Sequence, residues 1–310
     1  MHIRATVAAV TGALALSALA VPAAQATGSD SHNPVDTLKA LRAATSGKTA
    51  FTGSAPADTG TPFALDAKFT AVKINNGKPI VAGTGGKVTA PVTFKVTHGA
   101  GVDVTAEDTE LDVLIYRGDL DDADGGSLLV GDDWPVCSAV SATVASCKST
   151  IDIYPTDELT NADATSWKAA GYIIDWNDVD PNADDVDWSK VGYTEADALA
   201  TTKLQRLSKL TVNAAPEPVK KGKTITVTGK LTRANWDTDK YTGYAGVYAQ
   251  LQFRKKNSTT YSTVKSVKAT STGGLSTTVK AGVDGYYRYT FVGTTTSPAV
   301  SAAGDFVDVK

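Results

Sequence analysis

The stretch DWNDVDPNADDVDW, Asp175 to Trp188, sets six aspartates and two asparagines into fourteen residues, with a tryptophan near each end. Asp178, Asp180, Asn182 and Asp184 fall at positions 1, 3, 5 and 7 of an oxygen-ligand loop, the side-chain spacing with which a tight turn wraps Ca²⁺. Hard oxygens and no neighbouring histidine or thiol suit calcium or magnesium better than zinc. The loop departs from an EF-hand at three places. Ala183 stands where glycine permits the sharp turn, Pro181 stiffens the fourth position, and Ser189 replaces the closing bidentate glutamate. The expectation is a less regular Ca²⁺ site, completed if Asp119, Asp121 and Asp124 of DLDDADGG converge on it. The alternative is a solvated turn, because aspartate also bonds its own backbone in turns. Aspartate outnumbers glutamate 28 to 5.

Other chemistry has little to build on. His98 is the one histidine expected inside a folded module, and it precedes Gly99 at a strand end. No G-x-S-x-G, H-E-x-x-H or Gly-rich phosphate loop appears, so no enzyme is expected. A glycosidase needs only two well-placed carboxylates, and the acidic residues are too many to single out a pair. Nucleic-acid binding is not indicated, since basic residues are spread over strands without a reading motif.

The segments that must position these residues read as β-structure. The start, MHIR followed by ATVAAVTGALALSALAV and PAAQA, has the charge, apolar run and small-x-small ending of a signal peptide over 1–26. That implies export and a released chain, with no membrane span expected. Residues 27–61 are small and polar and read as a flexible leader with a short helix near Val35 to Ala44. From Pro62 the runs FALDAKFTAVKI, GKVTAPVTFKVTH, ELDVLIYRG and SWKAAGYIIDW alternate or form short apolar stretches between turn signals. They predict an acidic antiparallel β-sandwich over 62–201. Cys137 and Cys147, the only cysteines, predict one disulfide in an exported chain, bridging a loop pair and adding about 3 kcal/mol. A thiol metal site would need more ligands.

A second series of about seven short strands follows from 202 to 310, the count and spacing of an immunoglobulin-like sandwich. Ile225, Val227, Leu251, Phe253, Val264, Tyr287, Tyr289 and Phe291 are its expected inward face. Within it, LTVNAAPEPVKKGKTITVTGKLTRANW, LQFRKKNSTTYSTVK and DGYYRYTFVGT resemble the C-terminal module of a group of secreted actinobacterial proteins with bacterial Ig-like folds, some of them labelled calcium-binding. The resemblance covers roughly Leu204 to Lys310; it implies fold and export and supplies no catalytic residues. The fold class expected is therefore all-β, two antiparallel β-sandwich domains in tandem, the C-terminal one immunoglobulin-like.

Charge divides along the chain far more sharply than the net −3 suggests. From Asp103 to Asp187 there are 21 acidic residues against Arg117, Lys148 and Lys168, whereas from Thr201 to Lys310 there are 17 basic residues against 6 acidic ones. A one-signed field gathers counter-ions and steers opposite partners. The acidic module then gathers cations, the basic module rests on an anionic cell-wall polymer or polysaccharide, or the modules attract one another; ordinary solvated surface is the alternative. In NWDTDKYTGYAGVY, Trp236, Tyr241 and Tyr244 either stack on glycans from an exposed loop or plug the sandwich end with their polar atoms bonded. These readings lead to a secreted, non-enzymatic binding or structural protein of the cell envelope. The alternatives are a metal-free polysaccharide-binding module and an inhibitor of an extracellular enzyme.

Overall fold

Strands dominate because β-branched and aromatic residues alternate with polar ones over most of the chain, and Gly, Asn or Pro cuts each run. The computed structural model describes residues 34–45, 60–120, 127–181, 183 and 185–310. The fold is all-β: two antiparallel β-sandwiches in tandem, the second immunoglobulin-like. The expected signal segment, 1–26, lies outside the described residues.

The first sandwich comprises α1 (Pro34–Thr45), β1 (Phe63–Ala64), β2 (Ala67–Ile74), β3 (Ile80–Ala82), β4 (Val88–His98), β5 (Thr109–Tyr116), β6 (Leu128–Leu129), β7 (Val136–Ser141), β8 (Val144–Ile153), the single turn α2 (Pro155–Glu158), β9 (Ser166–Asp175) and β10 (Gly192–Arg206). One sheet runs β1-β10-β9-β5-β6, with β3 also on β10, and the facing sheet runs β2-β4-β8-β7. Two short pairings, β1 with β10 and β3 with β10, are parallel. Along β4, Ala90, Val92, Phe94 and Val96 turn inward and are at most 2% exposed, while the threonines and Lys95 between them face water. This is the period-2 signature of a half-buried strand.

β5 and β9 read differently, as continuous apolar runs, because both of their faces are covered. Val113, Ile115 and Ile173 meet Phe69, Phe94 and Ile151 of the facing sheet. Gly171 makes that approach feasible, since a Cβ there would lie 2.8 Å from the Phe69 ring. On the opposite side, Leu114, Tyr116, Tyr172 and Ile174 pack against Leu38 and Leu41 of α1. The short helix expected near Val35 to Ala44 is present as α1, and it is docked on this sheet. Leu38 and Leu41 lie one turn apart on one helix face and are buried, and the Arg42 guanidinium donates to Glu195 (Nε, 3.1 Å) and to the Leu120 carbonyl (Nη1, 2.9 Å).

The second sandwich comprises β11 (Ser208–Leu210), β12 (Asn213–Ala215), β13 (Thr224–Asn235), β14 (Lys240–Gly243), β15 (Tyr248–Lys255), β16 (Ser262–Lys268), β17 (Gly274–Lys280), β18 (Gly285–Phe291), β19 (Val300–Ser301) and β20 (Asp305–Val307). In one sheet β13 is flanked by β11, β12, β14 and β17; the other runs β16-β15-β18-β19, with β20 also on β18. Ile225, Val227, Leu251, Tyr287, Tyr289 and Phe291 form the core, with Phe253 half-buried beside them. Val264 does not join them. A register shift opposite Leu251 and Gln252 turns it out of the core, and it is 48% exposed.

The two sandwiches belong to one compact unit and share a built junction. β10 carries the chain across, and the tip of the β13–β14 hairpin reaches back so that Ala234 and Trp236 complete the first core. Asn161 Nδ2 donates to Asn235 Oδ1 at 2.7 Å, its backbone N–H to Asp237 Oδ1 at 2.8 Å, and the Leu207 N–H to the Ala82 carbonyl at 2.8 Å. Cys137 and Cys147 form a disulfide directly across β7 and β8, with Cα atoms 4.1 Å apart. The bridge therefore ties neighbouring strands rather than a loop pair.

Candidate functional site

The basic sandwich presents its most organised chemistry on the outer face of β15, β18 and β20. Inward residues of these strands take Leu251, Tyr287, Tyr289 and Phe291, so the alternation forces Gln250, Gln252, Arg254, Tyr286, Arg288 and Thr290 outward. Arg254 lies opposite Tyr286, and Gln252 opposite Arg288. The Arg254 guanidinium sits 3.8 Å from the Tyr286 ring centre and 5.3 Å from that of Tyr261; the Arg288 guanidinium sits 3.8 Å from Tyr261. Tyr286 packs on Phe306 at 5.1 Å, and Lys256 stands 5.3 Å from that ring. Gly304 leaves room for the Tyr261 hydroxyl, which would lie 2.2 Å from a Cβ there.

Hydrogen bonds fix the orientation of both guanidiniums. Arg288 Nε donates to Gln252 Oε1 at 2.9 Å, and Arg254 Nη1 donates to the Ser258 carbonyl at 2.9 Å. Neither arginine forms an ion pair among the described residues; Lys256 pairs with Asp284 at 3.5 Å. A guanidinium stacked on a ring keeps its charge, is weakly hydrated, and offers its free N–H groups in a fixed fork to carboxylate, sulfate or phosphate. None of these residues was singled out from the sequence. The signal was there in DGYYRYTF, where Tyr287, Tyr289 and Phe291 read as inward and Tyr286 and Arg288 therefore as outward.

The expected glycan-stacking aromatics lie elsewhere and are engaged. Trp236 is 3% exposed and its indole N–H donates to the Gly83 carbonyl at 2.7 Å. Tyr244 is 9% exposed, under Arg233 at 4.0 Å and edge-on to Phe291, and half-buried Tyr241 has Lys209 Nζ 3.6 Å from its ring centre. Stacking by Trp236, Tyr241 and Tyr244 is corrected on that ground: the hairpin that holds them is the junction between sandwiches, and packing there consumes their faces.

Of the expected cation ligands, Asp119, Asp178 and Asp180 are described, and Asp121, Asp124, Asn182 and Asp184 lie outside the described residues. Among the described residues no group of three or more His, Cys, Asp or Glu side chains is arranged to hold a metal ion. What holds the 175–188 loop is apolar. Trp176, Val179, Val186 and Trp188 pack onto the cluster over the β5–β9 face, with the two indoles 6.2 Å apart. Carboxylates assist at the turns: Asp175 accepts from the Asn177 N–H, and Asp187 accepts from the Ser189 N–H and hydroxyl, bonds that hold its carboxyl below the usual range. His98 ends β4 with Nδ1 3.0 Å from the Gly99 carbonyl.

A buried carboxylate closes the other end of the acidic sandwich. Burial alone would raise the pKa of Asp152, but donation from the Thr89 and Thr150 hydroxyls (2.5 and 2.7 Å), the Asp132 N–H (3.1 Å) and Lys87 (3.1 Å) outweighs it and brings the carboxyl down to about 2. Lys87 also pairs with Asp132 at 2.9 Å, and the Tyr154 hydroxyl donates to Asp132 at 2.5 Å. Every group in this cluster has a partner, which is the pattern of a structural tie.

No protein-family model matches the chain, and no curated protein matches it. Among solved structures, the chain is similar to titin domains A168–A170 (11% identity, TM-score 0.24, 79% of this chain and 67% of that one). It is also similar to the Yersinia pseudotuberculosis adhesin InvE (15%, 0.21, 78% and 58%) and to the tandem Ig repeats of Dlar (12%, 0.21, 80% and 99%). Scores this low transfer nothing from any one of them. No described helix is long and apolar enough to cross a membrane.

Proposed function

We propose that this chain is an exported, non-enzymatic binding and structural protein of the cell envelope, which docks on an anionic polymer through the outer face of β15, β18 and β20. The observation that carries it is the pair Arg254 and Arg288, each laid on a tyrosine and fixed by a hydrogen bond, with no carboxylate among the described residues paired to it. A preorganised guanidinium loses little conformational entropy on meeting an acidic group, so the site gains where a free lysine would not. The surrounding sandwich, 15 basic to 6 acidic residues over 208–310, raises the local concentration of such a polymer. Export is supported by the apolar start of the chain and by the disulfide. The resemblance to secreted actinobacterial Ig-like modules points to the same setting. The junction through Trp236 suits a structural role, because it couples two modules that a free linker would leave independent.

Retention on purified cell wall across a salt series tests this. Binding falls steeply as salt rises if guanidinium–anion contacts carry it; retention that ignores salt overturns the electrostatic mechanism.

A further inference from the structure

The acidic sandwich carries a face that its overall charge conceals. In the sheet β2-β4-β8-β7, inward positions take the apolar residues, so the outward positions take Lys68, Thr70 and Lys73 on β2, Thr93, Lys95 and Thr97 on β4, and Ser146 and Lys148 on β8. Pairing sets them in rows. Lys73 lies beside Thr93, and Thr93 beside Lys148; the next row is Thr70, Lys95 and Ser146; the next begins Lys68 and Thr97. Neighbours are thus about 5 Å apart across strands and about 7 Å apart between rows. All four lysines are exposed, and none forms an ion pair among the described residues. These rows hold no carboxylate. Asp66 lies just beyond the Lys68 row, beside Gly99, and Asp152, two rows beyond Lys148, is already neutralised by Lys87.

The backbone adds a shape to this charge. A bulge in β2, with Ala71 at φ 53°, breaks the register between Thr70 and Lys73. Beside it lies a shallow groove of ≈ 310 Å³ lined by Ala71, Val72, Lys73, Thr93, Phe94, Lys95 and Ser146. Two lysines and the Thr93 and Ser146 hydroxyls lining one groove, within rows of further exposed lysines, fit the backbone of a linear polymer bearing phosphate or carboxylate groups.

We propose that this face is a second polyanion-binding surface. It is independent of the Arg254–Arg288 face and lies on the other sandwich. With both in place the chain is bivalent and cross-links polymer strands; that last step rests on the docking role of the C-terminal face, whereas the lysine face stands without it.

The test uses the full chain and three variants: K68Q/K73Q/K95Q/K148Q, R254Q/R288Q, and a control of equal charge change, K78Q/K190Q/K220Q/K221Q, at exposed lysines elsewhere. The probes are long-chain inorganic polyphosphate and polygalacturonate, which separate phosphate from carboxylate chemistry. Affinity is read by titration calorimetry and cross-linking by light scattering. The lysine-face variant is expected to bind at least one probe roughly tenfold more weakly and to lose the scattering signal, with melting unchanged and the control near wild type. Wild-type affinity in the lysine-face variant, or an equal loss in the control, overturns the proposal. Scattering by the wild-type protein alone that the lysine substitutions abolish also overturns it, by making a second copy the occupant. If R254Q/R288Q binds like wild type while the lysine variant does not, the C-terminal docking role fails and the lysine face survives.

Discussion

The indole N–H of Trp236 donates to the main-chain carbonyl of Gly83 at 2.7 Å, across 153 residues of sequence and across the boundary between sandwiches. A residue of the second sandwich therefore closes the core of the first. Trp236→Ala is expected to cost about 3–5 kcal/mol, and Trp236→Phe less, since it keeps most of the buried ring and loses the bond. Urea unfolding of both variants checks this. A change below about 1 kcal/mol for the alanine variant would mean that the hairpin tip merely rests on the first sandwich.

That junction shows what the sequence could and could not reveal. Strand periodicity marked β4 and β18 residue by residue, because alternation is local and each inward residue announces the next outward one. Trp236 was visible as an aromatic in a polar hairpin, but whether such a ring faces water or a distant core depends on a partner 153 residues away. The leader helix was legible near Val35 to Ala44, but its docking was not: Leu38 and Leu41 lie one turn apart, and only the outer side of β5 and β9 tells what buries them. The lysine face was hidden by counting charge along the chain, since only strand pairing shows that alternation brings Lys68, Lys73, Lys95 and Lys148 to one outer sheet face.

Asp152 makes stability depend on acid. Its folded pKa, about 2, lies below the unfolded value, so the stabilisation is fully present above about pH 4 and is lost as pH falls toward 2. Wild type is expected to lose about 2 kcal/mol over that window from this group. Asp152→Asn should flatten this part of the profile and lower stability at pH 7, as thermal melts from pH 2 to 7 would show. An unchanged slope would place the acid sensitivity elsewhere.

The disulfide spans a short loop, ten residues in separation, between paired strands. Reduction, or Cys137→Ser with Cys147→Ser, is expected to lower stability by about 3 kcal/mol and leave the far-ultraviolet spectrum of the sheets in place. Melting with and without reductant measures it.

Leu41 is fully buried between α1 and the β5–β9 face. Leu41→Ala should cost about 2–4 kcal/mol and speed hydrogen exchange in α1 ahead of the sheets. Exchange in α1 that matches wild type would contradict the docking of this helix.

The most direct measurement of the docking role compares wild type with R254Q/R288Q on purified anionic cell-wall polymer at two salt concentrations. Arg254 and Arg288 lie over tyrosine rings on a strand face, so the substitutions leave the core intact and the melting temperature should hold. The expected result is a loss of about tenfold or more in affinity at low salt, together with a shallower salt dependence. Equal affinity and equal salt dependence in a variant that melts like wild type would contradict it.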